Sequence, residues 1–138
     1  MTEPTIEEAQ KRLDSMLEVR ENRDLPNLIN HYCDDAVIMP NHEPMIKGKA
    51  AIEKWYKKWW AIDANKELKL TMKVQHVETH GDLRVVCGNG SFEWREMKHD
   101  TKWLMLIKLE GNGGKIHAVT WNFNDPHPEL AELLAKQA

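Results

Sequence analysis

The sequence predicts an α+β domain in which three N-terminal helices pack on a curved antiparallel sheet, with a short C-terminal helix after it. Apolar residues recur at helical spacing through the first half of the chain. From residue 67 onward this pattern gives way to alternating and apolar segments that turn residues separate. The length of 138 residues fits one domain spanning residues 1–138.

The first two helices have recognisable starts. Thr5 begins the sequence T-I-E-E, a capping-box pattern, and an apolar stripe follows it. Arg20 ends this stripe, where it either lies along the apolar surface or points its charge into a cavity. Asp24 is expected to cap a shorter second helix. The buried face of that helix is predicted to reach Tyr32, and the helix is predicted to end before Asp34.

Two short strands and a loop follow. Residues 36–40 are predicted to form an apolar strand and residues 45–47 a brief return strand, with the turn-forming residues 41–44 between them. Catalytic groups favour loops, so His42 and Glu43 are candidates for a general base and its orienting partner. Neighbouring side chains in a turn usually point apart, however, and we favour a turn without this role.

The helix that begins at Lys49 has a strongly aromatic face. Trp55, Tyr56 and Trp59 share one side, while lysines and a glutamate occupy the other. Aromatic rings at helical spacing most often pack in a core. Three large rings on one helix of a small domain are difficult to pack without gaps, however, and they leave room for a cavity beside them.

Four antiparallel strands are predicted next, at residues 67–79, 83–97, 101–109 and 115–124. The glycines of Gly88–Gly90 mark either a hairpin turn or a bulge, and we favour a bulge inside one long bent strand. His76 and His80 would lie roughly 13 Å apart along a strand, which is too far to share one metal ion. The terminal helix carries a small apolar stripe at Leu130, Leu133 and Leu134.

The composition excludes several functional classes. The formal net charge of −3 is too small to attract nucleic acid or an anionic membrane. No apolar run reaches the ~20 residues of a bilayer span, and the acidic N-terminus is unlike a signal peptide. We therefore expect a cytoplasmic protein without nucleic-acid or membrane partners. Cys33 and Cys87 are expected to be free thiols, and no metal motif or cofactor motif is present in the sequence.

Four segments carry a resemblance that covers almost the whole chain. They are DLPNLINHYCDDAV at residues 24–37, the loop ending in IKG at 46–48, AAIEKWY at 50–56 and GKIHAVTWN at 114–122. The chain resembles the nuclear transport factor 2-like superfamily, in particular its SnoaL-like and ketosteroid isomerase-like members. It is especially similar to small proteins of unknown function that also close on a Trp-Asn pair. The resemblance implies a cone-shaped fold with a pocket between helices and sheet.

The resemblance implies the fold of ketosteroid isomerase-like proteins, but the residues needed for ketosteroid isomerase chemistry are absent from the matching positions. Such enzymes need a general-base Asp after the first strand, a Tyr on the first helix and a protonated Asp on a late strand. These three positions fall on or beside Pro40, Met16 and Met105 of this chain. A methionine neither accepts a proton nor donates one to a developing enolate, and Asn41 beside Pro40 is no carboxylate.

The sequence favours a binding module over an enzyme, because the polar residues of ketosteroid isomerase chemistry are missing and pockets of this fold also serve in pure binding. Methionine and aromatic walls suit a flat or flexible apolar molecule. The predicted pocket residues are Met16, Arg20, Met39, Trp55, Tyr56, Trp59, Trp103 and Met105. No catalytic residue is assigned.

Two alternatives remain open. The first is an enzyme of the isomerase, cyclase or hydrolase kind whose polar set is Arg20, Tyr56, His42 or Asn122. The second is an association domain, because one face of the late strands is apolar. That face is predicted to carry Leu104, Leu106 and Val119. Since a large exposed apolar face marks an interaction site, we expect a homodimer through the sheet.

Overall fold

The computed structural model describes residues 4–111 and 113–137. The helices are α1 (Ile6–Glu21), α2 (Leu25–Ile29), α3 (Lys49–Ile62) and α4 (Pro128–Gln137). The strands are β1 (Tyr32–Met39), β2 (Ile46–Lys47), β3 (Lys69–His80), β4 (Leu83–Trp94), β5 (Met97–Glu110) and β6 (Gly113–Phe123). They form one curved, open sheet in the order β2-β1-β6-β5-β4-β3. The predicted α+β class is confirmed, and the sheet is mixed because β1 and β6 run parallel.

The helices lie against one face of this sheet. Helix α1 packs on β3, and α3 packs on β1 and β2, with α2 between the two longer helices. The core contains inward side chains of both layers, among them Leu13 and Ile52 from the helices and Ile38 and Val86 from the sheet. The aromatic face of α3 therefore looks toward the concave side of the sheet, where the cavities described below are found.

Helix α1 is fixed at its start and at its contact with β3. The Thr5 hydroxyl accepts a hydrogen bond from the amide of Glu8 at 3.1 Å, which confirms the predicted cap. The Gln10 amide donates to the carbonyl of Met72 at 2.9 Å and accepts from the amide of Val74 at 2.7 Å. Because β3 is an edge strand, Gln10 satisfies backbone groups that would otherwise have no partner in the sheet.

The predicted end of the second helix is wrong. Helix α2 ends at Ile29, and Tyr32 is the first residue of β1, which continues through Asp34. The reason is a distant pairing, since Tyr32 lies beside Ile116 of β6 and the amide of Ile116 donates to the carbonyl of His31 at 2.7 Å. This contact overrides the local helical spacing of the apolar residues.

The Gly-Asn-Gly segment lies inside one continuous strand, as predicted, but the bulge predicted within it is wrong. Strand β4 runs through it, and the irregularity is a bulge in β3, where the register shifts between Val74 and His76 and leaves Gln75 without a partner. A Cβ atom on Gly88 would lie 1.8 Å from the carbonyl oxygen of Lys73. Only glycine lets the two backbones approach this closely.

Val119 does not share a face with Leu104 and Leu106, contrary to prediction. Thr120 lies opposite Leu104, whereas Val119 lies opposite Met105 and is buried on the concave side. Side chains alternate along each strand, but the phase between two strands depends on their register. That register is not readable from the alternation alone.

Helix α4 extends beyond the packed layers. It has no buried residue, and the apolar stripe of Leu130, Leu133 and Leu134 is exposed. In the described part of the chain, no helix is long and apolar enough to cross a membrane. Cys33 and Cys87 are free thiols.

Candidate functional site

Two cavities that share walls lie between the helices and the concave face of the sheet. The larger has a volume of about 270 Å³ and the smaller about 70 Å³. Arg20, Trp55, Tyr56 and Trp121 are among the residues that line both. The larger volume is close to the lower end, about 300 Å³, of sites that bind small molecules.

Trp55 is at the centre of the aromatic wall. Its ring centroid lies 5.0 Å from that of Tyr56, 6.4 Å from that of Trp59 and 5.7 Å from that of Trp121. Helix α3 carries Trp55, Tyr56 and Trp59, and Trp121 belongs to the closing Trp-Asn pair on β6. Tilted and edge-to-face contacts of this kind hold large rings in fixed orientations. The wall is therefore apolar and rigid.

Glu43 holds two of these rings in place. Its carboxylate accepts hydrogen bonds from the indole N–H of Trp55 at 3.2 Å and of Trp59 at 3.1 Å. His42 instead packs edge-on against Phe123, with ring centroids 5.8 Å apart. The two neighbours therefore point apart, and the structure does not join them as a base and its orienting partner.

A chain of polar groups crosses the apolar interior. The hydroxyl groups of Tyr32 and Tyr56 lie 2.6 Å apart, and the two residues are only 2% and 4% exposed. Burial raises the pKa of Tyr32 well above its ordinary value, and both the charge of Tyr56 and the hydrogen bond to Tyr56 add to this rise. Burial also raises the pKa of Tyr56, although the charge of Arg20 and the hydrogen bonds from Tyr32 and Arg20 oppose this. Both phenols are therefore neutral at physiological pH.

Two donors in the cavity walls are not fully paired within the described residues, although Arg20 does form a hydrogen bond with the Tyr56 hydroxyl. Arg20 lines both cavities and forms no ion pair with any carboxylate of residues 4–111 and 113–137. Asn41 lines the larger cavity, and its side-chain nitrogen is buried without a hydrogen-bond partner among the described residues. Buried donors are normally satisfied, so an acceptor on a bound molecule would complete this site.

Asp63, which sequence analysis did not single out, anchors the wall of the larger cavity. It is 4% exposed and accepts hydrogen bonds from the amides of Glu67 and Leu68, at 2.8 and 3.0 Å. The Trp94 indole and the Arg23 guanidinium also donate to it, at 3.2 and 3.3 Å.

Burial raises the pKa of the Asp63 carboxyl, but the hydrogen bonds from the two backbone amides and Trp94, together with the charge of Arg23, outweigh burial and lower it. Its position after a helix and before a turn is the available sequence signal, because Asp favours turns where it accepts from the backbone.

The predicted pocket residues are distributed over the two cavities, with one exception. The larger cavity is lined by Arg20, Trp55, Tyr56 and Trp59. The smaller cavity is lined by Met16, Trp103 and Met105, together with Arg20, Trp55 and Tyr56. Met39 lines neither cavity and is 39% exposed. The alternation of β1 turns its neighbours Ile38 and Pro40 inward and therefore turns Met39 outward.

The polar set of the enzyme alternative is not assembled. Arg20, Tyr56 and His42 line the larger cavity, but Asn122 is exposed and lies across the strand from Lys102. Because its neighbour Trp121 lines the cavity, Asn122 belongs to the opposite face of the sheet.

Comparison with known proteins supports the fold and not a function. The chain matches no protein-family model and no curated protein. Among solved structures it is similar to a ketosteroid isomerase-like protein from Erwinia carotovora atroseptica, at 16% identity and a TM-score of 0.65, covering 85% of this chain and 94% of that one.

Two further solved structures have the same architecture. A protein named as a calcium/calmodulin-dependent protein kinase type II association domain, from Thiobacillus denitrificans, is 15% identical with a TM-score of 0.70, covering 88% and 97% of the two chains. A nuclear transport factor 2-like protein of unknown function from Pseudomonas putida is 15% identical with a TM-score of 0.66, covering 88% and 90%. The chain therefore has the nuclear transport factor 2-like fold, which is also that of ketosteroid isomerase-like proteins.

Proposed function

We propose that this chain binds a small, largely apolar molecule with an aromatic ring and a carboxylate. The observation that carries the proposal is the cavity of about 270 Å³ in which aromatic rings surround Arg20, a cation without a carboxylate partner among the described residues. A charge next to apolar walls is costly unless it is paired. A ligand carboxylate supplies that pair, and the rings cover the rest of the molecule.

The protonation states of the cavity favour binding over acid–base catalysis. General acid–base chemistry needs a group whose pKa is moved toward the working pH. The pKa values of Tyr32 and Tyr56 are raised, which moves them away from neutrality. Asp63 has a lowered pKa and its oxygens are occupied, and the Glu43 carboxylate accepts from two indoles. The carboxylates of Asp63 and Glu43 are therefore already occupied, while Arg20 and Asn41 in the same walls offer hydrogen-bond donors.

The proposal is tested by comparing a carboxylate with its neutral isostere. Cinnamate and cinnamamide share the ring and differ in charge, and their binding is measured by quenching of tryptophan fluorescence and by calorimetry. We expect cinnamate to bind more tightly. Because a hydrogen bond to a charged group contributes about 1.5–3 kcal/mol, Arg20→Met should weaken cinnamate binding roughly 10–100-fold and leave cinnamamide nearly unchanged.

Lys11→Met is the matched control, because it removes an exposed cation from the same helix and should not change either affinity. Equal affinities of wild type and Arg20→Met for cinnamate would contradict the role of Arg20. The absence of binding by a panel of aromatic acids of this size would contradict the proposed ligand class.

We also propose that two copies of the chain associate through the convex face of the sheet. Leu104 is 39% exposed there, Thr120 lies opposite it, and Leu106 lies opposite Ala118. Apolar and small side chains thus form a patch across β5 and β6, which is typical of sheet-to-sheet contacts. The similar protein from Thiobacillus denitrificans is named as an association domain, which supports the same use of this fold.

Association is measured by light scattering coupled to size-exclusion chromatography over a range of concentrations. We expect a dimer for the wild type and a shift toward monomer, at least tenfold in the dissociation constant, for Leu104→Lys. A buried charge at the interface has no partner there, which is the reason for the loss. Leu133→Lys on α4 is the control and should remain dimeric. A monomeric wild type, or a dimeric Leu104→Lys, would contradict this interface.

A further inference from the structure

Three potential metal ligands meet where β1 and β6 lose their register. One ligand atom each from Cys33, Asp35 and His117 lies within 4.8 Å of the other two. Cys33 is buried, His117 is half-buried and Asp35 is exposed. The three side chains come from strands that are distant in sequence, which is why the spacing along the chain gives no metal motif.

The irregular backbone brings these side chains together. Beside β6, the pairing of β1 passes from Tyr32–Ile116 directly to Val37–Ala118. Four residues of β1 therefore lie opposite the single residue His117. In a regular strand, residues two apart are separated by about 7 Å. The bulge instead brings the Cys33 thiol and the Asp35 carboxylate within 4.8 Å of each other.

His117 lies at a point where the sheet is irregular on both of its sides. It is also the unpaired residue in the ladder with β5, where the register passes from Leu106–Ala118 to Ile107–Ile116. Its Nδ1 atom is buried and has no hydrogen bond within the described residues. Bulges on both sides of one residue cost ladder hydrogen bonds, and such bulges often aim a side chain for a purpose. An unpartnered buried imidazole nitrogen is a ready metal ligand.

We propose that Cys33, Asp35 and His117 form a binding site for a divalent transition-metal ion of the zinc type. Thiolate, imidazole and carboxylate are the three side-chain ligands that zinc takes in proteins. Zinc lies about 2.3 Å from sulfur and about 2.0–2.2 Å from nitrogen and oxygen, so its ligands sit roughly 3.3–3.6 Å apart. The three ligand atoms lie no more than 4.8 Å apart, so side-chain movement has to close the remaining distance, and the exposed Asp35 is free to move. The fourth position is open to water or to another ligand.

This site is separate from the ligand cavities. None of its three residues lines the two cavities of the candidate site. It differs also from the exposed pair of His76 and His80, whose imidazoles flank Glu78 on β3 at 3.5 and 3.2 Å. A metal bound at the proposed site contacts sulfur, whereas a metal on β3 contacts only nitrogen and oxygen. That difference makes the two sites distinguishable by spectroscopy.

The test is a titration of the untagged, reduced, metal-free protein with cobalt(II), which reports sulfur ligation by a thiolate-to-metal charge-transfer band. We expect this band at one equivalent and its displacement by zinc. Cys33→Ser should abolish the band, and Asp35→Asn should weaken cobalt affinity at least tenfold. Asp35 is exposed, so Asp35→Asn keeps the fold and tests the site even where a change at the buried Cys33 disturbs packing.

Two controls separate this site from adventitious binding. Cys87→Ser removes the other thiol and should leave the band intact, and so should a His76→Gln, His80→Gln double variant. Zinc should also raise the melting temperature of the wild type and not that of Cys33→Ser. The proposal is overturned if the wild type shows no charge-transfer band, if the band survives Cys33→Ser, or if it is lost with Cys87.

Discussion

Asp63→Asn is expected to lower the free energy of unfolding by about 3–5 kcal/mol, the usual cost of breaking a buried ion pair on one side. The asparagine side chain has the same shape, but its nitrogen cannot accept hydrogen bonds. The amides of Glu67 and Leu68, the Trp94 indole and the Arg23 guanidinium then lose much of their shared acceptor. Urea denaturation followed by tryptophan fluorescence measures the change, and Asp34→Asn is the control. Asp34 is almost fully exposed, so its loss should leave the transition where it is.

The contribution of Asp63 should depend on pH with a definite sign. Its pKa is lower in the folded state than in the unfolded chain, where an Asp titrates near 3.9. The stabilisation is therefore complete above the unfolded pKa and is lost as the pH falls through the folded pKa. The difference in stability between wild type and Asp63→Asn should be constant from about pH 5 to 7. It should shrink below pH ~4, and a difference that stays constant down to pH ~2 would contradict the assignment.

Gly88→Ala is expected to destabilise the fold by about 1–3 kcal/mol or more, as overpacking in a closely fitted region does. The added methyl group would meet the carbonyl oxygen of Lys73 at 1.8 Å, so the β3–β4 ladder must move apart at the bulge. The obstacle is backbone, which cannot rotate away as the end of a flexible side chain can. Thermal and urea denaturation measure the loss.

Gly113→Ala is the matched control for this effect. A Cβ atom at Gly113 meets nothing within 4 Å, and its φ angle is not positive. We expect a change within about ±0.5 kcal/mol, which is typical of open surface positions. Equal effects of the two substitutions would show that strand propensity, rather than the close approach at the bulge, determines the result.

Features that depend on neighbouring residues were predictable. The cap at Thr5, the aromatic face of α3 and the continuous strand through Gly88 each follow from patterns a few residues long. These patterns record sterics and side-chain direction, which the local sequence determines. The α+β arrangement then follows, because a helical stripe and a sheet face must bury each other.

Features that depend on register were not predictable. Tyr32 fits the stripe of α2, yet it belongs to β1 because it pairs with a strand far along the chain. Val119 was placed on the wrong face, because the phase of β6 against β5 depends on a bulge at His117. Met39 is a different case, because the alternation of β1 itself turns it outward between its two buried neighbours. The errors at Tyr32 and Val119 concern how two distant segments align, which no local pattern records.

The candidate site was predictable in its apolar part and not in its polar part. Large rings and methionines signal a wall by their size and spacing, as Trp55 and Met105 do. The polar contacts of Glu43 and Asp63 join side chains from a loop or a helix end to distant rings. Only the folded chain shows that these carboxylates accept hydrogen bonds and that Arg20 forms no ion pair with a carboxylate of residues 4–111 and 113–137.

The contact between α3 and β6 has a consequence for the order in which the chain folds during synthesis. Trp55 on α3 packs against Trp121, which the ribosome adds about 60 residues after α3, or roughly 3–12 s later at about 5–20 residues per second. Until then the aromatic face of α3 lacks this covering, and closing so long a loop carries an entropic cost. The aromatic face of α3 therefore stays partly uncovered for seconds during synthesis, until β6 has been made.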